Sequence, residues 1–214
     1  MVKSLNDIKW KEFCLEDIFI NYHGKRLIKE KRIQGFMPLL TASELNQGVS
    51  DFISNSEMKA YKNFISIDMF GHAFYHNYSA YGDDNIYFFI NDNITPKAKL
   101  FIVTCINQNS LKYSYGNQFR QDNADKDKIL LPVNSKGEPD YEFMEEYIKE
   151  RETKLKEQYK SHVKARAEML AKKMEMKPEW KEFLISKIFE IKAGKRLTKT
   201  NMKSGKIPFI GSSD

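Results

Sequence analysis

Four polar stretches of this chain carry side chains that could do chemistry on a polyanion. Gly24-Lys25-Arg26-Leu27, followed by Lys29, Lys31 and Arg32, is the densest basic loop in the first half. A glycine that permits a turn, flanked by cations, suits contact with phosphates, and it suits a solvated surface loop equally. Tyr113, Tyr115, Asn117, Gln118, Phe119, Arg120 and Gln121 interleave rings with amides and a guanidinium. Asn and Gln can pair bidentately with adenine, and Arg with guanine, although a hydrophilic connector has the same composition. Thr41 and Ser43 lead into Glu44-Leu45-Asn46-Gln47-Gly48, where hydroxyls and amides could read base edges or cap a short turn. Tyr75 and His76 follow Gly71-His72 and fall on a predicted strand whose edge could face DNA, with simple surface histidines as the bland reading. His72 and His76 are four apart, a metal pair on a helix; on a strand they lie about 13 Å apart with no third ligand cluster, so no metal site is expected.

Catalytic signatures are sparse. The chain has no glycine-rich nucleotide fingerprint and no phosphate-cradling Gly-Lys-Ser/Thr loop. The Asn/Asp-Pro-Pro-aromatic motif expected of an amino-methyltransferase is missing too. Glu152-Thr153-Lys154 and Glu175-Met176-Lys177 resemble nuclease Glu-x-Lys but fall in a charged helical stretch, where a solvated pattern explains them. The expectation is a non-catalytic chain that holds no cofactor and no metal.

Certain elements must position these stretches. Phe64 to Phe70 alternates apolar with small or polar residues up to Gly71, and Ala73-Phe74-Tyr75-His76 follows, which predicts strand, tight glycine turn, strand. Asn85 to Ile90 predicts a third strand. Pro96 opens a helix whose apolar positions 98, 101, 102, 105 and 106 keep helical spacing. After Pro139, residues 140 to about 177 contain no Gly and no Pro and are rich in Glu, Lys, Met, Leu and Ala. Met144, Ile148, Leu155, Tyr159, Val163 and Leu170 mark one apolar face of this predicted helix, roughly 55 Å long at 1.5 Å per residue. Its acidic start and basic end complement the helix dipole. A lone helix with a narrow apolar stripe is incomplete and is expected to lie against another helix, in self-association or along a partner.

Composition sets the outer limits. The 214 residues suffice for one good core with an appendage. A net charge of +6 and a pI near 9.0 favour a polyanionic partner. Cys14 and Cys105 lie far apart in apolar contexts and read as buried thiols of a reducing compartment. With no apolar run of membrane length and no apolar leader, the expectation is a cytoplasmic protein that crosses no membrane.

One internal repeat organises the whole. Trp10-Lys11-Glu12-Phe13 returns as Trp180-Lys181-Glu182-Phe183, Ile18-Phe19 as Ile188-Phe189, and Gly24-Lys25-Arg26-Leu27 as Gly194-Lys195-Arg196-Leu197. Pro38 matches Pro208 and Ser43 matches Ser213 at the same offset. Identity at 14 of 35 ungapped positions far exceeds the roughly 2 expected by chance. A period this long is a duplicated domain plus connector, not a solenoid unit of about 20–50 residues. The second copy breaks off soon after it begins, so the chain is expected to be half of a two-domain arrangement.

The ordered series resembles the specificity subunit of type I restriction-modification systems. It is carried by Trp10 to Phe13 with Ile18-Phe19, Gly24 to Leu27, Ile67-Asp68-Met69-Phe70-Gly71-His72-Ala73-Phe74-Tyr75, and Lys112 to Gly116. Lys128 to Val133 and Gly137 to Tyr141, running into the helix, complete it. The resemblance implies a target-recognition domain that reads half of a split duplex-DNA site, and a helix that spaces the halves. It implies a methyltransferase (modification) subunit and a restriction subunit as partners, which hold the S-adenosylmethionine, ATP and magnesium. It also implies that two copies pair head to tail through their helices; related subunits serve some type II enzymes.

The expected architecture is α+β: a recognition domain over 1–134, a spacer helix over 135–177 and a truncated repeat over 178–214. The expected DNA contacts are Lys25, Arg26, Lys29, Arg32, Thr41, Ser43, Tyr75, His76, Tyr115, Asn117, Gln118 and Arg120. The competing reading is a non-catalytic coiled-coil adaptor that binds protein. Lys25, Arg26, Lys29 and Arg120 on one continuous face would favour DNA; scattered positions would favour the adaptor.

Overall fold

The computed structural model describes residues 3–124, 126–175, 180–190, 192–194, 198–203 and 205. They divide into two compact units, one ending at Val163 and the other beginning at Lys164.

The first unit is built on a six-stranded sheet of order β2-β7-β5-β6-β3-β4. The strands are β2 (Ile20–His23), β3 (Gln34–Leu40), β4 (Val49–Ile53), β5 (Tyr61–Asp68), β6 (Ala73–Gly82) and β7 (Ile86–Ile90). Every pairing is antiparallel except β3 with β6. A separate antiparallel pair joins β1 (Trp10–Cys14) to β8 (Lys128–Pro132). The predicted strand, glycine turn and strand over 64–76 is β5, a turn with Gly71 at φ +78°, and β6, which runs on to Gly82.

Burial on both faces explains why β7 reads Ile-Tyr-Phe-Phe-Ile without alternation. Ile86 and Phe88 join Phe64, Leu40 and Ala80 in one cluster. Tyr87 and Phe89 join Ile65 and Ile67 in the other, together with Ala98, Phe101, Ile102, Cys105 and Ile106 of helix α1 (Pro96–Gln108). Thr95 caps α1 by accepting the Ala98 amide at 3.3 Å, with Pro96 in its first turn. Cys105 sits inside this cluster, and burial pushes its thiol up to about 12; Cys14 is half-buried.

After the one-turn helix α2 (Gln121–Ala124), helix α3 runs Tyr141–Glu175. Asp140 caps it, its carboxylate accepting the Phe143 amide at 3.0 Å. The apolar stripe does not stand unpartnered along its whole length, as the sequence had implied. Met144 is fully buried and Ile148 packs against the same core. Phe101 meets Phe143 and Tyr147 edge-on, and Lys97 pairs with Glu152 at 2.5 Å. The first turns of α3 thus belong to the core of the sheet domain, while Leu155, Tyr159 and Val163 are exposed.

In the second unit Leu170 is exposed and the one-turn helix α4 covers Ile185–Ile188. Lys195, Arg196 and Leu197 of the repeat, with Pro208 and Ser213, lie outside the described residues.

Candidate nucleic-acid interface

The turn between β6 and β7, Gly82-Asp83-Asp84-Asn85, is where distant polar segments meet. The Lys25 amide donates to the Gly82 carbonyl at 3.0 Å, and the Gly24 amide to the Ile86 carbonyl at 2.9 Å. A Cβ on Gly24 would stand 2.0 Å from the Asp83 carbonyl oxygen, so the glycine serves close approach of two backbones. Arg26, largely exposed, places Nη1 3.5 Å from Asp84 Oδ2. His23 donates from Nε2 to the Asp84 carbonyl at 2.7 Å and stacks on Tyr87 at 4.6 Å. Lys25 Nζ reaches the Glu57 carbonyl at 3.5 Å.

The segment before α2 reaches the same turn from the other side. Phe119 is fully buried, edge-on to Tyr87 and Tyr113 at 5.3 Å each, and its amide donates to the Met69 carbonyl at 2.9 Å. That anchor turns its neighbours outward. Arg120 donates from Nη1 to Asn85 Oδ1 at 3.2 Å and from Nη2 to Gln118 Oε1. Gln121 Nε2 donates to Asn21 Oδ1 of β2 at 3.2 Å. Arg26 and Arg120, far apart in sequence, therefore sit on the consecutive residues Asp84 and Asn85.

Asp83 stabilises the turn from inside. Its carboxylate accepts the Asn85 amide at 2.9 Å. Burial raises its pKa, and the neighbouring Asp84 adds to this; the Asn85 hydrogen bond and the Arg32 and Arg26 charges oppose it.

Other expected contacts take different positions. Lys29 is exposed on a 3-10 turn, Lys29–Lys31, and Tyr115 is exposed on the Ser114–Asn117 turn. Asn117 is exposed but donates its side-chain amide to the Lys112 carbonyl at 2.8 Å. Ser43 caps a turn by accepting the Leu45 amide at 3.1 Å, and Thr41 is half-buried with its amide donating to the Gly48 carbonyl.

Three expectations need correction. His76 is not at a DNA-facing edge: it is fully buried, 2.8 Å from Ser66 Oγ and 2.9 Å from the Tyr78 hydroxyl, with Phe64 stacked on it. Burial pushes its pKa down to about 4, so it is neutral near pH 7. Tyr75 is half-buried and donates its hydroxyl to Asn63 Oδ1 at 3.0 Å, with burial raising its pKa. Arg32 is half-buried and pairs with Asp51 at 3.6 Å; its Nε is buried and has no hydrogen-bond partner. It braces β4 from within the fold. His72 lies between two carboxylates, Asp68 at 3.1 Å and Glu44 at 3.2 Å.

Sequence reasoning missed His23, Asp84 and Asn85. Asp and Asn beside Gly mark any turn, so residue type carried no signal for the last two. Only the placing of β6 and β7 on either side of β5 shows what the turn gathers.

A sheet domain that collects arginines and amides on one turn, and continues into a long helix, has the design of a recognition module. The family model for the type I restriction modification DNA specificity domain matches residues 7–162. The chain belongs to that family, whose role is DNA recognition rather than catalysis. A curated relative is the type II restriction enzyme specificity subunit S.BcgI of Heyndrickxia coagulans, 33% identical over 160 residues, which are 72% of this chain and 47% of the relative. The chain thus spans about half the length of that relative.

Solved structures share the fold at lower identity. The HsdS subunit of Thermoanaerobacter tengcongensis superposes with a TM-score of 0.50 at 9% identity, over 71% of this chain and 39% of that one. A chain from a structure on complex assembly and conformational transition of the type I R-M system gives 0.53 at 10% identity, over 76% and 43%. The mixed sheet followed by a long helix is common to them.

Proposed function

We propose that this chain reads duplex DNA for a restriction-modification system, directing a methyltransferase subunit and a restriction subunit to a bipartite site. The observation that carries the reading is the meeting of Arg26 and Arg120 on the Asp84-Asn85 turn, flanked by Lys25, His23 and four amide side chains. Cations on such a face suit phosphates, and outward amides and guanidinium groups suit base edges. S-adenosylmethionine, ATP and magnesium belong to the partner subunits, and the assembly works in the cytoplasm. Lys29 and Tyr115 extend the contact on the periphery.

The same reading covers domain organisation. The sheet domain recognises one half-site, and the exposed stripe from Leu155 through Tyr159, Val163 and Leu170 pairs with the helix of a second copy. Two copies related by a two-fold axis present the same domain twice, so the site is an interrupted palindrome with half-sites separated by about one turn of DNA. Methylation mapping in cells that carry this gene and its methyltransferase tests the proposal. An interrupted palindrome that changes spacing, but not half-site sequence, when residues within 150–170 are deleted or added is the expected result. A non-palindromic bipartite motif would mean that a different chain supplies the other half. Methylation independent of this chain would defeat the reading.

A further inference from the structure

The two arginines on the β6–β7 turn are held in different ways, and the difference assigns them different targets. Arg26 is paired with a carboxylate, Asp84, so its charge is matched within the chain. Both partners of Arg120 are neutral amide oxygens, Asn85 Oδ1 and Gln118 Oε1. They fix the plane of the guanidinium without cancelling its charge. Two of its five N–H groups are used this way and three remain, while a bidentate pair needs two.

The mount is rigid as well. Gln118 and Arg120 flank the buried Phe119, and Asn85 is held through its own amide by Asp83 at 2.9 Å. A donor fork fixed from two sides on a braced turn suits directional recognition; a phosphate contact needs only a positive charge near a diffuse anion.

We infer that Arg120 reads a guanine through its O6 and N7 acceptors in the major groove, with Asn85 and Gln118 as positioning residues that orient the fork. Guanine is the base whose major-groove edge offers two adjacent acceptors to such a fork. Neither amide touches the base in this arrangement. The inference rests on the DNA-recognition reading above and specifies one of its contacts.

The test is selection of duplexes from a randomised pool by the full chain co-expressed with its modification subunit. Wild type is compared with Arg120→Ala, Arg120→Lys and Asn85→Ala. Wild type should enrich a motif with at least one fixed G per half-site. Arg120→Ala should lose preference at that one position, by about tenfold or more, and keep the others. Replacing that G by 7-deazaguanine, which removes N7, should weaken wild type severalfold and leave Arg120→Ala unchanged. Asn85→Ala should lower the guanine preference while leaving affinity for random duplex intact, and Asn85→Asp, which keeps the acceptor oxygen but matches the Arg120 charge with a carboxylate, should fail to restore it.

An unaltered motif with Arg120→Ala would overturn the inference, as would uniform weakening across all sequences, the mark of a phosphate contact. A motif with no fixed guanine would overturn it as well. Failure of the wild type to enrich any sequence would instead defeat the DNA-recognition reading itself, and the inference with it.

Discussion

Strand β6 carries the same kinds of side chain to two opposite fates. Its middle holds His76, closed off among Ser66, Tyr78 and Phe64, and its end feeds the turn where His23, Arg26 and Arg120 stand at the surface. The first region is a satisfied interior network, which a polar group needs in order to be buried without large cost. The second is a set of cations and amides, each held by one or two polar contacts. Histidine and arginine by themselves announce neither role; burial and partners decide it.

The largest expected effects come from buried side chains, His76 and Met144 among them. Folding lowers the pKa of His76 from about 6.5 to about 4, so the unfolded chain takes up a proton that the folded one refuses. The stability involved is complete above about pH 6.5 and is lost as pH falls toward 4. Its size follows from the shift and is on the order of 3 kcal/mol. Urea unfolding followed between pH 7 and 4 should show that decline, and His76→Gln should flatten it. Wild-type stability with no such slope would mean that His76 is solvated in the folded chain.

The helix offers the same contrast along one element. Met144 is core, whereas Leu155 and Leu170 are exposed in the isolated chain. Met144→Ala should cost about 2–5 kcal/mol of domain stability. Changing Leu155 and Leu170 to Glu should leave the domain's unfolding midpoint within error while light scattering shows the assembly reduced to single chains. Loss of domain stability in the Leu155 variant would place the core boundary further along α3 than Ile148.

A smaller effect is expected at the turn. Asp84→Asn removes the carboxylate facing Arg26 and one negative charge from the face. Stability should change by less than about 1 kcal/mol, since the pair is exposed. Affinity for duplex DNA of any sequence should rise severalfold at low salt. Weaker binding in electrophoretic titrations would mean that Asp84 orients Arg26 more than it restrains it.

Much of the frame was legible beforehand. The alternation of β5, the apolar run of β7, and the spacing and proline of α1 follow from local rules. The long glycine-free stretch of α3 does too. Strands β1 and β8 were not legible, because each is a five-residue segment whose partner lies more than a hundred residues away. Strand β3 contains Gly35 and Pro38, which locally argue against a strand, and pairing with β4 through a bulge accommodates them. At the candidate face, Lys25, Arg26 and Arg120 stood out by charge, and the structure brings them to one turn; Arg32 looked the same in sequence and pairs with Asp51 instead. His76 was misread because Phe74-Tyr75-His76-Asn77-Tyr78 looks like a half-polar surface strand, while its partner Ser66 lies on another strand. The stripe of α3 was read correctly as apolar, yet periodicity cannot say which of its turns the chain itself covers.

The central claim is that the face around the Asp84-Asn85 turn binds DNA through its cations. Its most direct test is the affinity of the chain, assembled with its modification subunit, for duplex DNA across a series of salt concentrations. Wild type should weaken with salt at a log–log slope near −0.9 for each phosphate neutralised. Lys25→Ala and Arg26→Ala should each weaken binding to all sequences about equally and flatten that slope by roughly one contact. Unchanged affinity and unchanged slope in both variants would contradict the account.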